Sequence, residues 1–323
     1  MVTLKFNNSY IKSWYSIGGV DEEKGNIKDA DKYLSDLYYG EKTHEKAEIK
    51  MVEEVITTMK KDNKIDLIVG GNLSNQLGTM NIALRDINTS FLGLYSACAT
   101  FAESVINASS LLQNKAISNA LVITNSHALT SERQFRFPVE YGSLKNCYTT
   151  NTITAAVGVV LTNEKTNYKI SSATIGGVVD YGIKDVANMG AIMAPAAALV
   201  IKEHLYNTNT TMDNYDYILT GDLGNVGLTL LQSVLKDDYG IVTDKIMDAG
   251  SIIYKKSQNK CAGGSGPTCL PFAFFNRFIQ DKKIKKVLLV GTGALHNPTL
   301  VNQKNSIPSI AHLIEIEVNH DAN

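Results

Sequence analysis

Arginine, cysteine and proline are scarce in this chain. Among 323 residues Arg occurs only at positions 85, 133, 136 and 277, and there are 4 Cys, 6 Pro and 1 Trp. The 31 Lys+Arg face 32 Asp+Glu, for a formal net charge of −1. That balance leaves no cationic excess to condense on a phosphate backbone or an anionic lipid surface, so nucleic acid is excluded as a main partner. The longest apolar run, Ala191–Ile201, is about half a membrane span. The opening MVTLKFNNSY has no basic stretch ahead of an apolar one, so a cytosolic-type soluble protein without a secretory leader is expected. Cys98, Cys147, Cys261 and Cys269 are too few and too scattered to read as a disulfide framework, and no CxxC pair suggests zinc. Also missing are a G-x-G-x-x-G after a strand, a GxxxxGK(S/T) and an HExxH, which leaves nicotinamide, P-loop and zinc-hydrolase chemistry without support.

What is present is a 44% hydrophobic chain, enough for a sizeable core in two domains at roughly 150 residues each. Short β-branched or aliphatic runs end in Gly, Asn or Asp: Ile65–Leu73, Ala120–Asn125, Ala155–Thr162, Tyr217–Asp222, Lys286–Gly291 and Ala311–Val318. They read as buried strands. Between them lie apolar residues at helical spacing, such as Ala47, Met51, Val55 and Met59, or Phe101, Val105 and Leu112. The alternation implies a layered α/β fold.

Three strand-and-turn strings recur in order. IDLIVGGNL at 65–73 matches YDYILTGDL at 215–223, SIGGV at 16–20 matches TIGGV at 174–178, and NALVITNSH at 119–127 resembles KVLLVGTGA at 286–294. Such recurrence predicts a duplicated unit, with the boundary in the polar Thr162–Tyr168 stretch and halves at 1–165 and 166–323. The expected pocket lies where the halves meet.

Cys98, in GLYSACATFAES, stands at the start of a helical stretch, where unpaired N–H groups would lower a thiol pKa. A small buried residue is the competing reading. The third repeat pair maps Cys98 onto Ser265 in the Gly-rich loop CAGGSGPTC. Around the same cleft the matched strand ends place Asn72, Thr124, Ser126, His127, Asp222, Thr292, Gly293 and His296, the last three in GTGALH. Two of the four arginines, Arg133 and Arg136, fall in RQFRFPVEYG beside Phe137, a composition suited to planar recognition of a carboxylate. An Arg paired with Glu132 or Glu140 explains it equally well. ANMGAIMAPAAAL at 187–199 reads as a packed loop entering a helix with Pro195 in its first turn.

A duplicated α/β unit with a Cys at a helix start in its first half resembles the thiolase-like superfamily over nearly the whole chain. RQFRFPVEYG, ATIGGVVDYGIKDVANMGAIMAPAA at 173–197, LTGDLGNVG at 219–227 and QKNSIPSIAHLIEIE at 303–317 are similar, more narrowly, to the stage V sporulation protein AD family. The resemblance implies a duplicated five-layer αβαβα fold and a homodimer. It further implies a pseudoenzyme of the spore dipicolinic acid transport system that binds dipicolinic acid together with calcium. Such a protein would act in uptake during sporulation and release at germination. It would sit peripherally on the inner spore membrane through integral membrane proteins of the same system. Active thiolase-like enzymes use the nucleophilic Cys with a His- or Asn-containing loop and a second His or Cys from the second half; here the corresponding Gly221-Asp222 and Ala262-Gly263-Gly264 supply no imidazole, which leaves His127 and His296 as the histidines able to approach the pocket. No metal site and no resident cofactor are expected, Cys98 is a vestigial nucleophile, and an acyltransferase using Cys98 is the alternative.

Overall fold

The computed structural model describes residues 1–74, 77–135 and 145–320. The first part of the chain contributes β1 (Val2–Lys5), β2 (Tyr10–Gly18), β3 (Lys32–Tyr33), β4 (Leu67–Asn72), β5 (Ser90–Gly93), β6 (Asn119–Ser126), β7 (Asn151–Thr152) and β8 (Ala155–Thr162). The second contributes β9 (Tyr168–Ile175), β10 (Tyr217–Thr220), β11 (Ile246–Asp248), β12 (Gly264–Ser265), β13 (Lys286–Ala294) and β14 (Ser309–Val318).

The main sheet runs β11-β10-β13-β14-β9-β2-β8-β6-β4-β5, with β1 on β9 and β3 on β2. Its middle is a pseudo-symmetric seam. Outward from β2, the partners β8, β6, β4 and β5 pair antiparallel, antiparallel, parallel and parallel. From β9 outward, β14, β13, β10 and β11 repeat the same sequence. The two arrays touch through β2 and β9 only at Tyr10↔Lys169 and Ile11↔Tyr168. All three sequence-matched strings therefore occupy equivalent strands.

Burial explains the layering. The helix His44–Asp62, capped by Thr43 Oγ1 accepting from the Lys46 N–H, turns Met51, Val52, Val55, Ile56 and Met59 inward. It packs on β2, β6 and β8. Helices Met189–Thr208 and Gly224–Tyr239 cover the other array from outside. Helix Thr100–Gln113 and the Cys269–Phe278 segment lie between the arrays. There Phe101, Val105, Leu112, Phe272, Phe274 and Phe275 fill the central core, each contributing on the order of 2 kcal/mol by burial. The result is five layers, αβαβα.

Pro195 departs from expectation. The helix begins at Met189, where Asn188 Oδ1 accepts from the Ala191 N–H, so Pro195 lies inside it rather than in its first turn. Its missing N–H leaves the Ala191 carbonyl without its usual partner. Among the described residues no helix is long and apolar enough to cross a membrane.

Candidate functional site

Cys98 sits on the 3₁₀ turn Ala97–Ala99 that leads from β5 into the central helix. Ala97 holds a left-handed φ of 50°, a conformation that costs about 1 kcal/mol for a residue with a Cβ. The turn is tied by the Ser96 N–H donating to Thr100 Oγ1 at 3.1 Å and Thr100 Oγ1 donating to the Ala97 carbonyl at 2.7 Å. Strand β13 passes so close beneath that a Cβ on Gly293 would lie 2.4 Å from the Ser96 carbonyl oxygen. Gly293→Ala should therefore cost about 2 kcal/mol in unfolding free energy and shift the Cys98 turn. Denaturant unfolding of the variant checks the first, and an unchanged midpoint would contradict it.

The second half supplies what faces the thiol. Cys98 Sγ is 3.9 Å from Ser265 Oγ, the counterpart its repeat offset marks. Ser265 Oγ donates to Asp222 Oδ2 at 3.5 Å, and Thr292 Oγ1 donates to Asp222 Oδ1 at 2.5 Å. Burial pushes the Asp222 carboxyl up to about 7, against the hydrogen bonds from Cys98 and Thr292. Burial and then the charge and hydrogen bonding of Asp222 push the Cys98 thiol well above its ordinary range. The helix-start argument anticipated a lowered value. Desolvation beside an acid outweighs the few N–H groups at the turn.

A cavity of about 520 Å³ opens from this cluster. Of the sequence-predicted residues, Cys98, Ser265, His296 and Asn72 line it. Asp222 and Thr292 stand behind the Cys98–Ser265 contact. Gly293 serves close packing against Ser96 rather than presenting its N–H to the cavity. Thr124 is buried within the sheet, opposite Gly71 and Val157, and Ser126 Oγ donates to the Ile153 carbonyl at 2.8 Å. His127 turns away: its Nε2 lies 2.9 Å from the Leu37 carbonyl, its ring stacks on His44, and burial pushes its pKa down to about 4. Arg133 pairs with Glu45 at 2.7 Å, a partner from a distant helix. None of Thr124, Ser126, His127 and Arg133 is among the described lining residues, while Arg136 and Phe137 lie outside the described residues.

Sequence reasoning missed most of the walls. Phe135 meets the His296 ring edge-on at 5.4 Å, and Met189 and Met193 sit one helical turn apart. Their i, i+4 spacing in ANMGAIM was the available signal. Ser74, Ser131, Gln134 and Asn297 add hydroxyl and amide groups. The described lining holds no Lys or Arg; its one carboxylate, Glu132, is paired with Lys145 at 2.7 Å. Under the floor, buried Glu48 accepts from Asn125 at 2.7 Å, Thr130 at 2.9 Å, and Asn72 and Ser74 at 3.3 Å. Burial still raises it to about 7. Among the described residues no group of three His, Cys, Asp or Glu side chains is arranged to hold a metal ion.

The arrangement can hold a small molecule against the thiol, with the Asp222 carboxyl behind it fixed by Thr292 and Ser265.

The family model for Stage V sporulation protein AD matches residues 1–317. The Bacillus subtilis (strain 168) protein described as Stage V sporulation protein AD is 38% identical over 317 residues, covering 95% of this chain and 94% of that one. Among solved structures, a glutamate-to-glutamine variant of Xanthomonas campestris OleA superimposes with a TM-score of 0.63 at 12% identity, covering 97% of this chain and 98% of that one. The 3-oxoacyl-[acyl-carrier-protein] synthase III of Aquifex aeolicus gives a TM-score of 0.56 at 13% identity, covering 96% and 99%. At such identities the two enzymes share the fold with this chain.

Proposed function

The chain belongs to the stage V sporulation protein AD family, and from that premise we propose that it is a non-catalytic, thiolase-like binder of dipicolinic acid in the spore dipicolinic acid transport system. One observation carries the reading: the cavity retains its thiol, but the second-half group set beside it is the Asp222 carboxyl where a condensing enzyme would use an imidazole. A carboxyl beside a half-buried thiol disfavours the thiolate that acyl transfer requires.

The walls suit a flat aromatic diacid. Phe135, Tyr95, Met189 and Met193 offer apolar and aromatic faces, while Asn72, Ser74, Ser131 and Asn297 supply donors for carboxylate oxygens. With no Lys or Arg in the described lining, a dianion would enter at a large desolvation cost. Its calcium complex carries no such charge, so we propose that the complex is the bound form. The role would be uptake during sporulation and release at germination. The protein would work as a homodimer of two-half chains (1–165 and 166–323), peripheral to the inner spore membrane through integral membrane proteins of the system.

Calorimetric titration with dipicolinate, with and without calcium, tests this. Saturable heat is expected, stronger with calcium, and Cys98→Ala should change the affinity less than about tenfold because the thiol only lines the wall. No heat at millimolar ligand overturns the binding reading. The second reading, acyl transfer through Cys98, draws on the left-handed turn that presents the thiol to the cavity. Mass spectrometry after incubation with an acyl-coenzyme A distinguishes it, since an acyl adduct on Cys98 would favour that reading.

A further inference from the structure

Two thiols outside the cavity are brought together by the fold. Cys147 and Cys261 are 114 residues apart in sequence, yet Cys147 Sγ donates toward Cys261 Sγ at 3.0 Å. Both are exposed. The backbone that follows each cysteine is anchored: β7 and β12 pair with Asn151 opposite Gly264 and Thr152 opposite Ser265. The Asn151 N–H donates to the Gly263 carbonyl at 2.9 Å, and the Cys261 carbonyl accepts from Asn225 Nδ2 at 2.8 Å. The two-residue ladder that follows both cysteines anchors the loops that carry them.

We propose that Cys147 and Cys261 form a reversible disulfide, a redox staple between the two halves of the chain, with a low-molecular-weight disulfide as oxidant. In the first step one thiolate attacks a sulfur of the small disulfide, forming a mixed disulfide and releasing one small thiol. The second protein thiolate then attacks the protein sulfur of that mixed disulfide and releases the second small thiol. Two protein thiols are oxidised, one small disulfide is reduced to two thiols, and one S–S bond joins the chain. A normal bond of about 2.0 Å requires the sulfurs to close by ~1 Å, within reach of rotation about two exposed side chains.

The staple would tie loop 145–150, which carries Lys145 on Glu132 of the cavity wall, to the loop that delivers Ser265. It closes a long loop in the unfolded chain, which is where a disulfide stabilises most.

Oxidation of the full-length protein with oxidised glutathione at about pH 8 tests the proposal. Expected are a mass lower by two hydrogens, a cross-linked peptide pair containing Cys147 and Cys261, and a melting temperature raised by about 5 °C or more. Reduction should reverse all three, and Cys147→Ser should lose the cross-link and the rise together. Stable glutathione adducts on both thiols, chain-to-chain dimers through either, a cross-link to Cys98 or Cys269, or a rise in melting temperature that persists in Cys147→Ser would overturn it.

Discussion

Asp222→Asn should make Cys98 react about tenfold faster, or more, with iodoacetamide near pH 8. In the wild-type protein the half-buried thiol lies beside the Asp222 carboxyl, and after desolvation it is the charge and hydrogen bonding of Asp222 that push the thiol up. Above about pH 7 ionising the thiol places a thiolate beside a carboxylate. Two like charges a few ångströms apart at an effective dielectric constant near 20 repel by several kcal/mol, and each unit of pKa is about 1.4 kcal/mol and a factor of ten in thiolate. Asparagine keeps the size of the side chain and its acceptor for Thr292 Oγ1. It removes the charge and offers an N–H to the thiolate. Because Cys147 and Cys261 are exposed and would dominate the labelling, the comparison belongs in a Cys147→Ser, Cys261→Ser background, read by mass spectrometry on the Cys98 peptide. A wild-type Cys98 that labels as fast as an exposed thiol, or an Asp222→Asn variant no faster than its parent, would contradict the argument. The former would also return weight to the acyl-transfer reading.

The fold was legible where strands are long and buried. Ala155–Thr162 agrees to the residue, and the Leu67–Asn72 and Lys286–Ala294 strands differ from expectation only at their ends. The edge strands Ser90–Gly93 and Ile246–Asp248 escaped because they are short and the first is largely exposed, so neither shows an apolar run or a clear alternation. The repeat made the Cys98–Ser265 meeting readable, since equivalent strands in a pseudo-symmetric sheet deliver their following loops to one place. The Asp222–Thr292 hydrogen bond joins two strand ends that the same logic had already put at the cleft. What failed was orientation. His127 follows a cleft-facing strand, but the Leu37 carbonyl and the His44 ring draw it to the far side. Arg133 pairs with Glu45 on a helix far away in sequence, Glu132 pairs with Lys145, and Glu140 lies outside the described residues. Spacing alone gave no hint that Cys147 and Cys261 meet, as their contact depends on a two-residue ladder with no sequence signature.

Thermal stability should be greatest near pH 5 and fall toward pH 8 by a few kcal/mol, about 5 °C or more in melting temperature. Four fully buried carboxyls carry folded pKa values raised chiefly by desolvation: Glu22, Glu48 and Asp222 to about 7, Asp248 to about 6. In the unfolded chain they would titrate near 4. Between those limits the folded state binds more protons, so raising the pH through 4 to 7 favours unfolding. Buried His127 and His312, pushed down to about 4 by desolvation, act in the opposite sense: the unfolded state binds their protons below about 6.5, and stability falls as the pH drops toward 4. Burial would raise Glu315 as well. Its bonds with His204, Ser171 and Tyr215 and the Lys286 charge instead hold it at about 2, so its contribution is present above about 4.5 and lost as the pH falls through 2. Four groups against two leave the carboxyls dominant from pH 5 upward, although the two histidines oppose them up to about pH 6.5, and below pH 5 Glu315 joins the opposition. Glu48→Gln removes one of the four at a site whose neighbours are mostly donors. It should flatten the decline between pH 5 and 8, while costing stability at pH 5 through the one amide hydrogen-bond mismatch it creates. A melting temperature that is flat or rises from pH 5 to 8 in the wild type would show that these carboxyls are ionised in place, and with them Asp222 beside the thiol.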